Sequence, residues 1–204
     1  MRSSMIAATA LLALTACGEP TPPPAAEVNA AAPALPIAHA GSDDEPPPVD
    51  CTQLNAAFAA FNETPPFASL EVGPPIRLLD AACSVNEQKA EGTPAIRALT
   101  CSVFAANAPD RATGADAALA AFADARRQVT ACLPADWTVR EGVGAPADAD
   151  EAMIYESRAD AQRAMTATSY VYPVQLKKAW VAGTDGEASA WRVTLDFQKE
   201  TGGQ

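Results

Sequence analysis

The stretch from Val174 to Phe197 leaves the chain fewer structural choices than any other. Two alternating runs flank Asp185-Gly186, a dipeptide typical of the type I′ turn of a β-hairpin. A turn centred there pairs Trp180 with Trp191, Lys178 with Val193, Leu176 with Leu195 and Val174 with Phe197 on one face, and Gln175 with Asp196 and Lys177 with Thr194 on the other. A slip of one residue would turn every apolar side chain to the wrong face, so the pattern predicts this register.

Two further strands are predicted upstream, from Ile76 to Val85 and from Ala95 to Phe104, joined by a polar connection over 86–94. Small and apolar side chains alternate along one face of each strand. They are Leu79, Ala81, Cys83 and Val85 in the first strand, and Leu99, Cys101 and Val103 in the second. A turn centred near Gly92 would place Cys83 opposite Cys101.

Two amphipathic helices are predicted from apolar residues at helical spacing. The first follows Asp50-Cys51-Thr52-Gln53, which has the form of a capping box with Asp50 as N-cap, and it stops at Pro65-Pro66. The second begins at Thr113-Gly114-Ala115-Asp116, a similar pattern, and ends before Pro134. Their inward stripes are Leu54, Ala57, Phe58 and Phe61 in the first helix, and Ala118, Phe122, Ala125, Val129 and Cys132 in the second.

The region between the second helix and the final hairpin holds two strand candidates, Trp137 to Glu141 and Ala152 to Ser157, with an acidic loop between them. The segment from Arg158 to Met165 fits either a helical turn or a loop. The element order is thus α-β-β-α-β-β-β, with one more strand in the final hairpin. We predict an α+β fold, an antiparallel sheet of about four to six strands with two helices on one face.

The information for folding lies after residue 50. All 12 aromatic residues occur there, whereas residues 18–50 hold nine of the 18 prolines, six acids and no base. Prolines and mutually repelling acids favour an extended, unfolded linker, which at about 3.1 Å per residue reaches at most about 100 Å. We therefore predict a linker over 17–50 and a single globular domain over 51–204.

Charge narrows the range of partners. The net charge of −11 divides into +1 for residues 1–17, −6 for 18–50 and −6 for 51–204. An acidic chain is repelled by phosphate backbones, so we expect no nucleic-acid partner. The single histidine, His39, lies in the linker. The domain therefore cannot contain a site that depends on histidine, and we predict no metal and no cofactor.

A short leader precedes the linker. Arg2 supplies one positive charge, and Met5 to Leu14 form an apolar run that is much shorter than the about 20 residues needed to span a bilayer. The leader ends in Leu14-Thr15-Ala16-Cys17, which closely resembles the lipobox of bacterial lipoproteins. The resemblance covers residues 1–17 alone. The alternative is an ordinary secretory signal that ends near a cysteine.

The lipobox resemblance implies a location. The signal peptide, residues 1–16, would be removed, and Cys17 would carry diacylglycerol on its sulfur and a fatty acyl group, such as palmitate, on its amine. Two or three acyl chains hold a protein stably at a membrane. Gly18 replaces the Asp that retains lipoproteins of enteric type at the inner membrane. The expectation is a membrane-anchored protein of the cell envelope, on the periplasmic side or the surface of the outer membrane.

Four cysteines remain in the domain, with no C-x-x-C pair among them. Zinc ligation without histidine would need four cysteines, usually in close pairs. In an exported chain an even number of cysteines indicates disulfides, and four allow three connectivities. We favour Cys83 with Cys101, across the predicted hairpin, and Cys51 with Cys132, which requires antiparallel helices on one side of the sheet.

Catalytic motifs are scarce in this sequence. It contains no G-x-S-x-G, S-x-x-K, H-E-x-x-H or phosphate-binding glycine loop. Asp148, Asp150, Glu151 and Glu156 cluster in sequence, and two carboxylates held about 5 to 10 Å apart can cleave a glycosidic bond. Solvated acids on a loop are the simpler interpretation of the same pattern. The same segment resembles the start of a calcium-binding loop, but it lacks the third acid and the glycine that such a loop requires.

Aromatic residues suggest a binding surface. Tyr170, Tyr172, Trp180 and Trp191 would share one sheet face if a strand ran unbroken through Pro173, although proline favours a strand start or an edge. Packing of these rings in the core is the alternative. We predict a non-catalytic binding, scaffolding or inhibitor domain with an envelope protein or a glycan as partner. The alternatives are a glycan hydrolase that uses carboxylates and a carrier of a small ligand.

Overall fold

The computed structural model describes residues 47–89, 93–142, 149–167, 170–184 and 187–201. All of them belong to one compact unit, Pro46–Gln204. Cys17, the leader and the linker up to residue 46 lie outside the described residues. Within the described ranges, no helix combines the length and the hydropathy that a membrane crossing requires.

Along the chain the elements follow in the order α1, β1, β2, β3, α2, β4, β5, α3, β6 and β7. The helices are α1 (Thr52–Phe61), α2 (Ala115–Ala131) and α3 (Arg158–Ala164), with a short 3₁₀ helix at Ala68–Leu70. The strands are β1 (Arg77–Leu78), β2 (Ala81–Gln88), β3 (Ala95–Asn107), β4 (Trp137–Glu141), β5 (Glu151–Ser157), β6 (Val174–Val181) and β7 (Ala190–Thr201). The segment 158–165, for which the sequence left two interpretations, forms helix α3.

The strands form one sheet in the order β1-β2-β3-β7-β6-β5-β4, and every neighbouring pair is antiparallel. The predicted α+β class with an antiparallel sheet is confirmed. Among the described residues the sheet has seven strands, one more than the upper end of the predicted range. The additional strand arises because a turn divides the predicted strand 76–85 into β1 and β2.

That turn lies at Leu79 and Asp80. Their φ angles are 53° and 59°, and positive φ at both central residues is the geometry of a type I′ turn. Leu79 is therefore a turn residue and does not continue the apolar face of the strand. No local signal predicts this turn, because leucine disfavours positive φ and the segment lacks glycine.

The final hairpin has the predicted register. β6 and β7 pair from Val174 opposite Phe197 to Val181 opposite Ala190, and all six pairs read from the sequence are present. Asp185 and Gly186, on which the turn prediction depends, lie outside the described residues. The period-two pattern of the two arms was sufficient to set the register.

The pairing of β2 with β3 places Cys83 opposite Cys101, as predicted. The two cysteines form a disulfide. The pairing of β3 with β7 shifts by one residue between Ser102 and Phe104. This β-bulge turns Phe104, rather than Val103, toward Val193.

Helices α1 and α2 pack against the same face of the sheet and share one hydrophobic core with it. All nine residues of the two predicted inward stripes are buried. The second disulfide joins Cys51, before α1, to Cys132, after α2. Both favoured connectivities are thus present.

The helix starts differ from the predicted capping boxes. Cys51 is the N-cap of α1, and Asp50 accepts a hydrogen bond from the Thr52 N–H at 2.9 Å. The N-cap of α2 is Gly114, with φ of 77°. Asp110 supplies the capping oxygen nearby, because its carboxylate accepts the N–H of Thr113 at 2.8 Å. Asp50 is therefore the side-chain acceptor before α1, as predicted, although it lies one residue ahead of the N-cap. Before α2 the acceptor is Asp110, which lies outside the predicted motif.

Candidate functional site

The two faces of the sheet differ in chemistry. The face under α1 and α2, the helix face, carries buried apolar residues such as Leu99, Leu195 and Phe197. The opposite face, the polar face, carries Glu156, Gln175 and Asp196, which are buried as well. Buried polar side chains need partners, so the contacts of the polar face show how this site is organised.

Four side chains form what we call the tyrosine cluster, namely Arg140, Glu156, Tyr170 and Tyr172. Arg140 on β4 donates from Nε to Glu156 Oε1 on β5 at 2.6 Å, and Glu156 is only 1% exposed. The Tyr170 hydroxyl donates to the second carboxylate oxygen of Glu156 at 3.5 Å. The Arg140 guanidinium carbon lies 5.0 Å from the centroid of the Tyr172 ring, a cation–π contact.

The two tyrosine rings of the cluster contact each other edge to face, with centroids 5.3 Å apart. Both residues are half-buried. Tyr172 stacks on the cation of the ion pair, and Tyr170 binds its anion. The cluster therefore combines two partly exposed aromatic rings with an ion pair whose carboxylate is buried.

Further along the polar face, Lys177 on β6 pairs with Asp196 on β7 at 2.9 Å. The neighbouring Gln175 is buried, and its Oε1 has no hydrogen-bond partner among the described residues. Asp196 and Glu156 are thus each neutralised by one base. Pairing of this kind allows carboxylates to remain charged while buried.

A cleft of about 570 Å³ opens next to the tyrosine cluster, and we call it the end cleft. It lies where β5 ends, β6 begins and β7 continues past Phe197, beside α3 and the end of α1. Its volume falls within the about 300 to 1,000 Å³ typical of ligand sites. The cleft is lined by Phe61, Asn62, Ser157, Asp160, Arg163, Ala167, Tyr170, Val171, Pro173, Gln198, Lys199 and Glu200.

Helix α3 supplies one wall of the end cleft, with an acid, Asp160, and a base, Arg163. Ser157 is its N-cap, since the Ser157 hydroxyl oxygen accepts the Asp160 N–H at 3.1 Å and donates to the Asp160 carboxylate at 2.6 Å. Arg163, one turn further on, forms an ion pair with Asp160. Asp160 is nine-tenths buried, and these contacts hold it in one position.

Lys199 on β7 supplies a second base to the lining of the end cleft. Its ammonium group donates to the Phe61 carbonyl oxygen at 3.0 Å and lies 4.9 Å from the centroid of the Phe61 ring. Phe61 is the last residue of α1, so Lys199 binds a carbonyl at a helix C-terminus, where a cation is favoured. The contact ties the end of β7 to the end of α1.

Burial, and then the negative charges of Asp160 and Glu156, raise the pKa of Tyr170 well above its usual value. The hydroxyl therefore keeps its proton, and its hydrogen bond to Glu156, into the alkaline range. The hydrogen bond from Arg140 to Glu156 raises the pKa of the Arg140 guanidinium as well.

The four aromatic residues proposed as one surface fall into two separate pairs. Strand β6 begins at Val174, so alternation does not continue through Pro173. Trp180 and Trp191 lie on the helix face at the other end of β6, with ring centroids 5.6 Å apart. Trp191 packs against Ala108 and Ala118 and donates from Nε1 to the Arg111 carbonyl oxygen at 3.0 Å. The tryptophan pair belongs to core packing, whereas the tyrosine pair borders the cleft.

The acids considered for glycosidic cleavage also separate. Glu151 pairs with Lys178 at 2.7 Å on the helix face, and Glu156 pairs with Arg140 on the polar face. Asp150 pairs with Arg111 and accepts the Trp180 N–H at 2.7 Å. The fourth acid, Asp148, lies outside the described residues. Over the described ranges, no three His, Cys, Asp or Glu side chains group closely enough to hold a metal ion.

Sequence reasoning missed most residues of the end cleft. Ser157-Arg158-Ala159-Asp160 has the spacing of a capping box before a helix, and this signal could have identified α3. Lys199 and Arg140 carried no local signal. Their roles depend on contacts across 138 residues to Phe61 and across 16 residues to Glu156, which follow only from the register of the completed sheet.

Comparison of the chain with protein-family models, with curated proteins and with solved structures finds no match.

Proposed function

We propose that this chain is a lipid-anchored protein of the cell envelope whose domain binds a partner without catalysing a reaction. Cys17 is the proposed lipid attachment site, on the basis of the lipobox-like residues 14–17. The tyrosine cluster and the end cleft are the proposed recognition site. The partner is an envelope protein or a glycan.

The observation that carries the binding role is the tyrosine cluster. A recognition surface benefits from aromatic groups that are rigid before the partner arrives, because less entropy is lost on binding. Tyr170 and Tyr172 suit this requirement, since each contacts a member of the same ion pair and the two rings contact each other. Tyrosine also combines a large apolar area with a hydrogen-bonding hydroxyl.

The state of the acids supports binding over hydrolysis. Glycosidic cleavage uses two carboxyl groups about 5 to 10 Å apart, one of them protonated. Glu151 and Glu156 are instead each paired with a different base, on opposite faces of the sheet. Because the two carboxylates lie on opposite faces of the sheet, they cannot flank one glycosidic bond.

Site-specific cross-linking in intact cells tests the binding role. A photoreactive amino acid replaces Ala167, which lines the end cleft, and in a matched control it replaces Ser84, which is exposed on the distant strand β2. We expect a discrete adduct from position 167 alone, and its loss when Tyr170→Ala is added. Equal adducts from both positions would contradict the proposed site.

The anchor is tested separately by metabolic labelling with palmitate. The wild-type chain should incorporate the label, and Cys17→Ser should not. Labelling that survives the substitution, or that is missing from the wild type, would contradict lipid attachment at Cys17. Neither outcome bears on the recognition site, so the two parts of the proposal can fail independently.

A further inference from the structure

We infer that β4, an edge strand of the sheet, pairs with β4 of a second copy of this chain and joins the two sheets into one. The inference concerns the sheet edge and does not depend on the proposed recognition site. It is carried by the free backbone groups of β4, by their alternation along the strand, and by the side chains that one register brings together.

The backbone groups of β4 alternate in direction. Two hydrogen bonds to the β5 side flank the strand and fix this alternation, one from Gly142 to Ala152 at 3.0 Å and one from Arg158 to Asp136 at 3.2 Å. Both belong to the register in which β4 and β5 pair. Because hydrogen-bonded pairs alternate along an antiparallel ladder, the even-numbered residues of β4 bind β5, and the odd-numbered residues direct their N–H and C=O groups outward.

The outward groups of β4 include free donors. Within the part of the chain that the structure describes, the N–H groups of Val139 and Glu141 have no acceptor, whereas the Trp137 N–H donates to the Pro134 carbonyl oxygen at 2.9 Å. Val139 and Glu141 are both exposed. The strand contains neither proline nor lysine, which commonly block the addition of a strand at an edge. β4 is therefore open to pairing with a further strand.

The opposite edge of the sheet is less suited to a further strand. β1 has two residues, and Pro74 and Pro75 shortly precede it. Proline lacks the N–H that a ladder needs. Beyond β1, the segment 70–76 lines one cavity together with Val85 of β2, so this segment flanks the next part of that edge.

The alternation selects a register for two copies of β4. The outward groups meet only if odd-numbered residues lie opposite odd-numbered residues, and a two-fold axis at Val139 satisfies this condition. Each Val139 N–H then donates to the Val139 carbonyl of the other copy. Each Glu141 N–H donates to the Trp137 carbonyl of the other copy. Both N–H groups that are free on β4 thus gain an acceptor.

The neighbouring registers with the same alternation are less favourable. A shift in one direction places Arg140 opposite Arg140 of the second copy, and like charges directly opposite each other are destabilising. A shift in the other direction places Val139 opposite Trp137, whose N–H is already bound to Pro134, and moves Glu141 beyond the end of β4 in the second copy. The register centred on Val139 avoids both defects.

The side chains also match in the register centred on Val139. Val139 lies on the helix face, since it pairs with Tyr155 of the core, and it is 39% exposed. The two-fold axis brings the two valines together and removes them from water. On the polar face Thr138 lies opposite Arg140, whose guanidinium is turned inward to Glu156 at 2.6 Å. No like charges lie directly opposite each other in this pairing.

Cysteine cross-linking tests both the pairing and its register. The full chain carries Cys17→Ser in every sample, so that neither a lipid nor a thiol at position 17 can link two copies. Val139→Cys is oxidised mildly at about 100 μM protein, a concentration suited to a small interface of weak affinity. The Cα atoms of a hydrogen-bonded pair lie about 5.5 Å apart, which a disulfide can span. We expect a disulfide-linked dimer.

Thr138→Cys is the matched control, at an exposed position on the same strand. In the inferred register position 138 lies opposite position 140, so the two copies of position 138 are about 7 to 8 Å apart, too far for a disulfide. We expect little dimer from this variant. Equal cross-linking of the two variants, or no dimer from Val139→Cys, would overturn the inference.

Sedimentation equilibrium measures the association without a new thiol. The Cys17→Ser chain should dimerise as its concentration rises. Glu141→Pro removes one of the two free N–H donors and should weaken dimerisation at least tenfold, whereas Glu141→Gln keeps the donor and should associate like the parent chain. A parent chain that stays monomeric at every concentration, or a Glu141→Pro variant that associates equally well, would contradict pairing through β4.

Discussion

The Lys199 ammonium group donates a hydrogen bond to the backbone carbonyl of Phe61 and lies above the aromatic ring of the same residue, at 3.0 Å and 4.9 Å. One cation thus satisfies a carbonyl at the end of α1 and contacts an aromatic face of the core. Lys199 is half-buried, so water screens both interactions only partly. The relationship joins the last strand of the sheet to the first helix.

Replacement of Lys199 by methionine should therefore destabilise the domain. Methionine keeps much of the side-chain volume and loses the charge, so the expected cost is about 1 to 2 kcal/mol in the free energy of unfolding. Urea denaturation followed by tryptophan fluorescence measures it. Arg192→Met, an exposed base on the same strand, is the matched control and should change stability by less than about 0.5 kcal/mol. Equal effects of the two substitutions would refute the bridging role.

The ion pair of the tyrosine cluster should show strong coupling. Arg140→Met leaves the buried Glu156 carboxylate without this base, so we expect a loss of about 2 to 3 kcal/mol. Adding Glu156→Gln should restore part of the loss, because the buried charge is then removed. Urea denaturation of the two single variants and the double variant measures the coupling.

The exposed pair Arg126–Glu141, with side chains 45% and 78% exposed, provides the control for this cycle. Its coupling should stay below about 1 kcal/mol, since solvent screens it. If the effects of the Arg140 and Glu156 substitutions were simply additive, this ion pair would contribute no coupling to the stability of the domain.

The two disulfides should contribute unequally to the stability of the domain. Cys51–Cys132 spans 81 positions and Cys83–Cys101 spans 18. Loop-entropy arguments assign about 4.5 kcal/mol to the longer loop and about 3 kcal/mol to the shorter one. Replacing each pair with serine and measuring urea unfolding should show the larger loss for the Cys51 and Cys132 pair. The reverse order would mean that strain or residual structure outweighs loop entropy.

Alkaline pH should destabilise the domain through Tyr155. Burial raises the pKa of Tyr155 from 10.0 to about 12. Between these values the unfolded chain releases a proton that the folded chain retains, so stability falls as pH rises above 10, by up to about 1.4 kcal/mol per pH unit. Urea unfolding at pH 8, 10 and 11 measures the slope. Tyr155→Phe should reduce the slope, and the part that remains is assigned to Tyr170, whose pKa is raised as well. An unchanged slope would contradict a contribution from Tyr155.

The parts of the fold that could be read from the sequence are those set by local period. The β6–β7 register followed from alternation, and Cys83 could be placed opposite Cys101 from the spacing of the two strands. The helix stripes followed from 3.6-residue spacing. In each case a one-residue error would have buried polar side chains, so the pattern itself excludes the alternatives.

The features that could not be read depend on tertiary context. The turn at Leu79 and Asp80 goes against residue preference and is imposed by the sheet that surrounds it. Arg140 reaches Glu156 only because β4 pairs with β5 in one particular register. The end cleft combines residues from four separate segments, so no local sequence pattern could have predicted it.

The position of the Cys51–Cys132 disulfide has a mechanical consequence. Any pull that reaches the domain from its amino-terminal side along the chain arrives at Cys51, directly before α1. The disulfide transmits that force to the end of α2, which packs on the same sheet, so the force does not act on α1 alone. Force applied to the segment before Cys51 would therefore act on both helices together.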